Sequence, residues 1–69
     1  MIIKVKLLPK EKEYRDVNVK NGAIGQDLLE KLQLQPDAYI IARKGNPIPL
    51  DDELKEGEKI NLIQVVSGG

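Results

Sequence analysis

The sequence predicts an α+β domain, a mixed sheet of four to five strands with one helix across one face. Two observations carry this. Apolar residues recur at every second position near both ends of the chain and at every fourth in a segment between them. The elements then run strand, strand, helix, strand, short strand, strand, an order that suits one sheet covered on one side. With 69 residues, of which 41% are hydrophobic, the chain can bury one small core.

Residues 2–8, "IIKVKLL", set Ile3, Val5 and Leu7 on one side and Lys4 and Lys6 on the other, as in a half-buried strand. The polar "PKEKE" makes a turn, and "YRDVNV" follows with Val17 and Val19 in phase, so the two runs form a hairpin. Between about Ala23 and Gln33 the period changes. Ile24, Leu28 and Leu32 are four apart, Leu29 widens the stripe, and Asp27 suits the positive end of a helix dipole. Gly25 opposes the helix locally, and Pro36 closes the region.

"YIIAR", residues 39–43, is a β-branched strand. Gly45 and Asn46 supply a tight turn, and Pro47 and Pro49 confine the strand around Ile48 to an edge. After a polar turn pinned by Leu54, "KINLIQVV" forms a last strand over residues 59–66. The first and last strands can pair in parallel at the centre, because the helix-containing segment provides the long crossover. The expected core is Ile3, Val5, Leu7, Val17, Val19, Leu28, Leu32, Ile40, Leu50, Leu54, Ile60 and Leu62.

The composition excludes several functions. There is no cysteine and no histidine, so neither a disulfide framework, nor a thiol nucleophile, nor an imidazole base is available. Eleven basic and eleven acidic residues are interspersed, and the only aromatics are two tyrosines. That is unlike a nucleic-acid surface, with its basic patch and stacking rings. The N-terminus is broken by Lys4 and Lys6 and lacks a signal-peptide core, and no apolar run approaches membrane-spanning length. The expected location is the cytoplasm, without membrane or nucleic-acid partners. Asp51, Asp52 and Glu53 form the one dense acidic cluster, read as a solvated turn before Leu54 rather than a metal site. The chain is not expected to be an enzyme.

The sequence ends "VVSGG". Two glycines at a given pair of positions arise by chance at about 0.5%, from a background of about 7% each. Lacking Cβ atoms, Gly68 and Gly69 make a thin thread that can enter a narrow slot and present a carboxylate with an unhindered carbonyl. Frayed termini are common, however, and the dipeptide alone does not decide between the two readings.

Together, the element order, the run "PLDDELKEGEKINLI" and the terminal "VVSGG" resemble the ubiquitin-like β-grasp family, and within it the ThiS/MoaD sulfur carriers, including archaeal ubiquitin-like small modifiers. The resemblance spans residues 1–69 and is most specific over the last eleven. It implies a single β-grasp domain over residues 1–66 and a flexible tail over 67–69. It also implies that an ATP-using activating enzyme adenylates Gly69, with Gly68 as its slot-fitting neighbour. A persulfide sulfur, from a donor such as a cysteine desulfurase, then displaces AMP. The resulting thiocarboxylate carries sulfur to a downstream acceptor enzyme, in thiamine or molybdopterin biosynthesis or in tRNA thiolation.

The ATP would belong to the activating enzyme, and the chain itself is expected to hold no cofactor or metal. Two alternatives remain open: a protein modifier joined through Gly69 to lysines of target proteins, and a non-catalytic β-grasp binding module. Ser67 departs from the third glycine of some thiazole carriers and from the arginine of ubiquitin, which leaves the choice of partner open. The chain reads as ready-ended, with no processing peptidase implied. Its last basic residue is Lys59, so trypsin would leave residues 60–69 on a modified lysine rather than a two-glycine stub.

Strand alternation adds a surface. If Ile60 and Leu62 face the helix, Ile63 and Val65 face away, and Ile41 joins them if Ile40 is in the core. Ile41, Ile63 and Val65, beside the tail and Ser67, are therefore expected to dock the activating enzyme as an exposed apolar patch.

Overall fold

The computed structural model describes residues 1–65. β1 (Ile2–Leu8) and β2 (Arg15–Asn18) form the expected hairpin. The helix α1 (Gly25–Lys31) follows, then a single 3₁₀ turn at Pro36–Ala38. The last strands are β3 (Tyr39–Arg43), β4 (Asn46–Ile48) and β5 (Lys59–Gln64). The end of the last strand expected at Val66 lies outside the described residues. All five strands join one sheet in the order β2-β1-β5-β3-β4, with β1 and β5 parallel at its centre and the other pairs antiparallel.

The core lies between α1 and one face of the sheet. Ile3, Val5, Leu28, Leu29, Ile60 and Leu62 are fully buried, with Leu7, Val17, Val19, Ala23, Ile41 and Leu54 around them. Leu32 and Leu50 pack at its margin. The expectation for β3 is inverted: Ile41 is 1% exposed and Ile40 is 41% exposed. Register requires this, because Ile41 stands opposite Leu62 and Ile40 opposite Ile63. The hairpin turn between β3 and β4 also sits one residue earlier than expected. Lys44 and Gly45 both have positive φ, as a two-residue hairpin turn of the primed type requires, and Asn46 opens β4.

Arg43 explains the inversion in β3. It stands opposite Ile60, on the helix side of the sheet, where a strand charge is unusual. Its guanidinium donates from Nε and Nη2 to both oxygens of Glu58 at 3.2 and 3.0 Å. It also donates to Asp52 Oδ2 at 3.3 Å and to the Glu53 carbonyl at 2.9 Å. A forked donor with this many acceptors closes the end of the core without leaving a lone charge. These bonds, to Glu58 above all, raise the arginine pKa against the opposing effect of burial. Asp52, from the acidic cluster, thus acts as a structural anchor.

α1 is shorter than the expected span of 23–33. It ends where Gln33 adopts a left-handed conformation (φ 60°) and Leu34 N–H bonds back to the Leu29 carbonyl at 2.9 Å, a helix-terminating turn. Its N-terminus is tied to the 50–54 loop. Gly25 N–H donates to Asp52 O at 3.1 Å and Gln26 N–H to Leu50 O at 2.9 Å, while Asp27 accepts from Ile24 N–H at 2.9 Å. Donors that a helix start leaves unpaired are thereby satisfied.

Gly25 is closely approached by the core and by the 50–54 loop. A Cβ there would lie 2.6 Å from Ile41 Cδ1 and 3.2 Å from the Leu50 carbonyl oxygen. Gly25→Ala should therefore lower stability by about 1–3 kcal/mol through overpacking, although alanine is the better helix former. Urea unfolding checks this; an unchanged or raised midpoint would show that Ile41 and Leu50 yield freely.

Candidate functional site

Alternation leaves one sheet face without a helix. It carries Ile2, Lys4, Lys6 and Leu8 from β1, Lys59, Asn61 and Ile63 from β5, and Ile40 and Ala42 from β3. The pairing registers set Leu8, Ile63 and Ile40 in one row across the three central strands. Ile63 is 36% exposed, Ile40 more so, and Leu8 is half-buried. The row lies at the end of β5, where the chain leaves the sheet.

Of the residues expected in the docking patch, Ile63 lies on this face. Ile41 does not: it belongs to the core, and Ile40 takes the place expected for it. Leu8 was not foreseen, although its parity with Lys4 and Lys6 in β1 marks it as outward. Val65 is half-buried beside the 3₁₀ turn, and its N–H donates to the Ala38 carbonyl at 2.9 Å. The chain is therefore held up to the residue preceding Val66. Ser67, Gly68 and Gly69 lie outside the described residues.

The rest of the open face is polar and organised by Tyr14. Its hydroxyl donates to Asn61 Oδ1 at 2.8 Å. The ammonium groups of Lys6 and Lys59 lie 4.6 and 5.3 Å from the ring centroid, within cation–π range. Lys4 pairs with Asp16 at 2.9 Å. Among the described residues, no group of three or more Asp and Glu side chains is arranged to hold a metal ion, and no helix is long and apolar enough to cross a membrane.

Residues 5–69 match the ThiS family. The chain belongs to the ThiS family. Among relatives of this ThiS-family chain, the sulfur carrier protein TtuB of Thermus thermophilus is 32% identical over 57 residues, covering 83% of this chain and 88% of TtuB. SAMP1 from Haloferax volcanii superposes with a TM-score of 0.74 at 20% identity, with both chains fully covered. In the complex of subunits 1 and 2 of the molybdopterin-converting factor from Helicobacter pylori, one chain superposes with a TM-score of 0.68 at 25% identity, again with full coverage of both. The five-stranded sheet and single helix are thus a ubiquitin-like β-grasp, as the sequence leads one to expect.

In this ThiS-family chain the apolar row and Val65 share one end of the sheet. The row and the core are separable by mutation. Ile63→Asp should leave the thermal midpoint within a few degrees of wild type, since the side chain is exposed, whereas Ile41→Asp buries a carboxylate and should unfold the domain. Circular dichroism melts of both variants check this assignment; a folded Ile41→Asp protein would contradict it.

Proposed function

We propose that this protein is a sulfur carrier activated at the carboxylate of Gly69. The reading is supported chiefly by the family match, which runs through the final glycine, and by the likeness to TtuB over most of both chains. It also suits the chemistry of the residues present. A carboxylate is a poor acylating group, because its oxygen does not leave. Attack of the Gly69 carboxylate oxygen on the α-phosphorus of ATP forms the acyl phosphate bond and releases pyrophosphate.

The resulting acyl adenylate has AMP as its leaving group. A persulfide sulfur attacks the glycine carbonyl and expels AMP, giving an acyl disulfide. A second thiol then takes the distal sulfur of that bond, forming a disulfide and releasing the thiocarboxylate. ATP, persulfide and thiol all come from partner proteins, since this sequence has neither thiol nor imidazole. The partners in this reading are an adenylating enzyme, a persulfide donor such as a cysteine desulfurase, and a sulfur-accepting enzyme. The activating enzyme meets the carrier through Leu8, Ile40 and Ile63, with Val65, Ser67 and Gly68 leading Gly69 into its catalytic slot.

The deciding experiment is the intact mass of the protein recovered from its native host, with and without the activating enzyme. An enzyme-dependent shift matching exchange of one oxygen for sulfur, localised to the peptide ending at Gly69, is expected. Deletion of Gly69 should abolish it. If the C-terminus stays unmodified and slower-migrating species carry residues 60–69 on lysine side chains, the protein is a modifier instead. Neither product, under any sulfur supply, would make it a binding module. Ile63→Asp should reduce kcat/KM for adenylation about 30-fold, near 2 kcal/mol, if the row is the hot spot; unchanged kinetics would remove the row from the interface.

A further inference from the structure

We propose that a second contact surface, a basic groove at the opposite end of β5 from the tail, takes an acidic segment of the protein that activates the carrier. This rests on the carrier reading above. The groove is lined by Tyr14, Arg43, Lys44, Lys55, Glu58 and Lys59, with Glu56 and Asn61 completing it. Its carboxylates are already engaged. Glu58 is held by both donor arms of Arg43, and Glu56 accepts from the Ile2 N–H at 2.9 Å.

The lysines are not so engaged. Among the described residues, none of Lys44, Lys55 and Lys59 has a carboxylate within salt-bridge distance, and all three are exposed. Lys59 is aimed by the face of Tyr14, whose hydroxyl is fixed on Asn61. The groove therefore presents ammonium groups free of carboxylate partners from a hairpin turn, a loop and a strand, with Glu58 drawn onto Arg43 and Glu56 exposed at its side.

Its position selects the occupant. Lys59 opens β5 and Gln64 closes it, and six strand residues span about 17–20 Å. Through Tyr14, Lys59 and Asn61 the groove adjoins the open face that carries the apolar row, at the far end of β5 from Val65, while Arg43 and Glu58 form its wall on the helix side. A protein seated on Leu8, Ile40 and Ile63 can reach it with a flanking run of Asp and Glu. Two contacts this far apart fix the direction of β5, and hence of the chain leaving it, where the apolar row alone would permit rotation. Complementary charge at such a site raises the rate of productive encounter more than it deepens the final complex.

The test is steady-state adenylation by the host's activating enzyme, followed by pyrophosphate release, with three carriers. They are wild type, the combined Lys44→Glu/Lys55→Glu/Lys59→Glu variant, and a control with the same charge change elsewhere, Lys10→Glu/Lys12→Glu/Lys31→Glu. Circular dichroism melts confirm that all three are folded. The expected result is a rise in KM of about tenfold or more for the groove variant, with kcat within about twofold, and little change for the control. Raising salt from about 50 to 300 mM should raise the wild-type KM and leave the groove variant's nearly flat.

Equal KM changes in the two variants, or none in the groove variant, overturn the proposal while leaving the carrier reading intact. Competition by inorganic polyphosphate that abolishes the groove effect without displacing the enzyme overturns it in favour of a free anion. A wild-type chain that is not adenylated at all overturns both the groove and the carrier reading.

Discussion

The parallel pairing of β1 with β5 is the constraint from which the rest of the structure follows. Val5 stands beside Ile60 and Leu7 beside Leu62, so the two central strands bury the same face in the same register. Parallel neighbours cannot be joined by a tight turn. Residues 9–58 therefore form the crossover, and they supply the second strand, the helix and the β3–β4 hairpin on the way. Because β5 runs with β1, its end lies beside the end of β1 and, through antiparallel pairing, beside the start of β3. Leu8, Ile63, Ile40 and the Ala38 carbonyl that holds Val65 thus meet at one corner through topology.

The sequence was legible where one periodicity dominated. β1 alternates apolar and basic residues, and its limits at residues 2 and 8 are those the pattern predicts. The first hairpin and the parallel central pair are those that element order and connection length predict. β3 was less legible because "YIIAR" offers an isoleucine at either parity. Arg43 shares parity with Ile41, and a charge in a strand ordinarily marks the outward side. Glu58 and Asp52 reverse that inference, and both lie later in the chain, so no local pattern could reveal them. Ile63 consequently lies on the exposed face, Ile41 lies in the core with Ile40 at the equivalent outward position, and Val65 is half-buried.

The same non-local logic governs Gly25. Judged by propensity it weakens the helix, and judged by packing it permits the helix to sit against Ile41 and the Leu50 backbone. The carbonyls of the loop that approaches it also accept from the N–H groups of the helix N-terminus, and the loop supplies Asp52 to Arg43. Leu54 N–H closes the arrangement on the Ala23 carbonyl at 2.8 Å. One loop therefore couples the helix start to the far end of β3. In a chain this short, such backbone ties add to what a small core can supply.

The apolar row stands apart from the rest of the open face. The open face accommodates Lys4, Lys6, Lys59 and Asn61 without loss of strand pairing, so the sheet has no need of apolar side chains there. Single exposed isoleucines on a protein surface carry no meaning. Leu8, Ile63 and Ile40 are instead aligned across three strands, and they occupy the one row at the exit of the chain. Ile63 and Ile40 are 36% and 41% exposed, so covering what remains of each is worth about 0.5–1 kcal/mol, a fraction of the value for full burial of such a side chain. Under the proposed function, the partner that covers the row recovers that energy next to Val65, where the chain leaves the sheet. Under the proposed function, a sequence with neither thiol nor imidazole takes part in a group transfer by offering the Gly69 carboxylate to its partner.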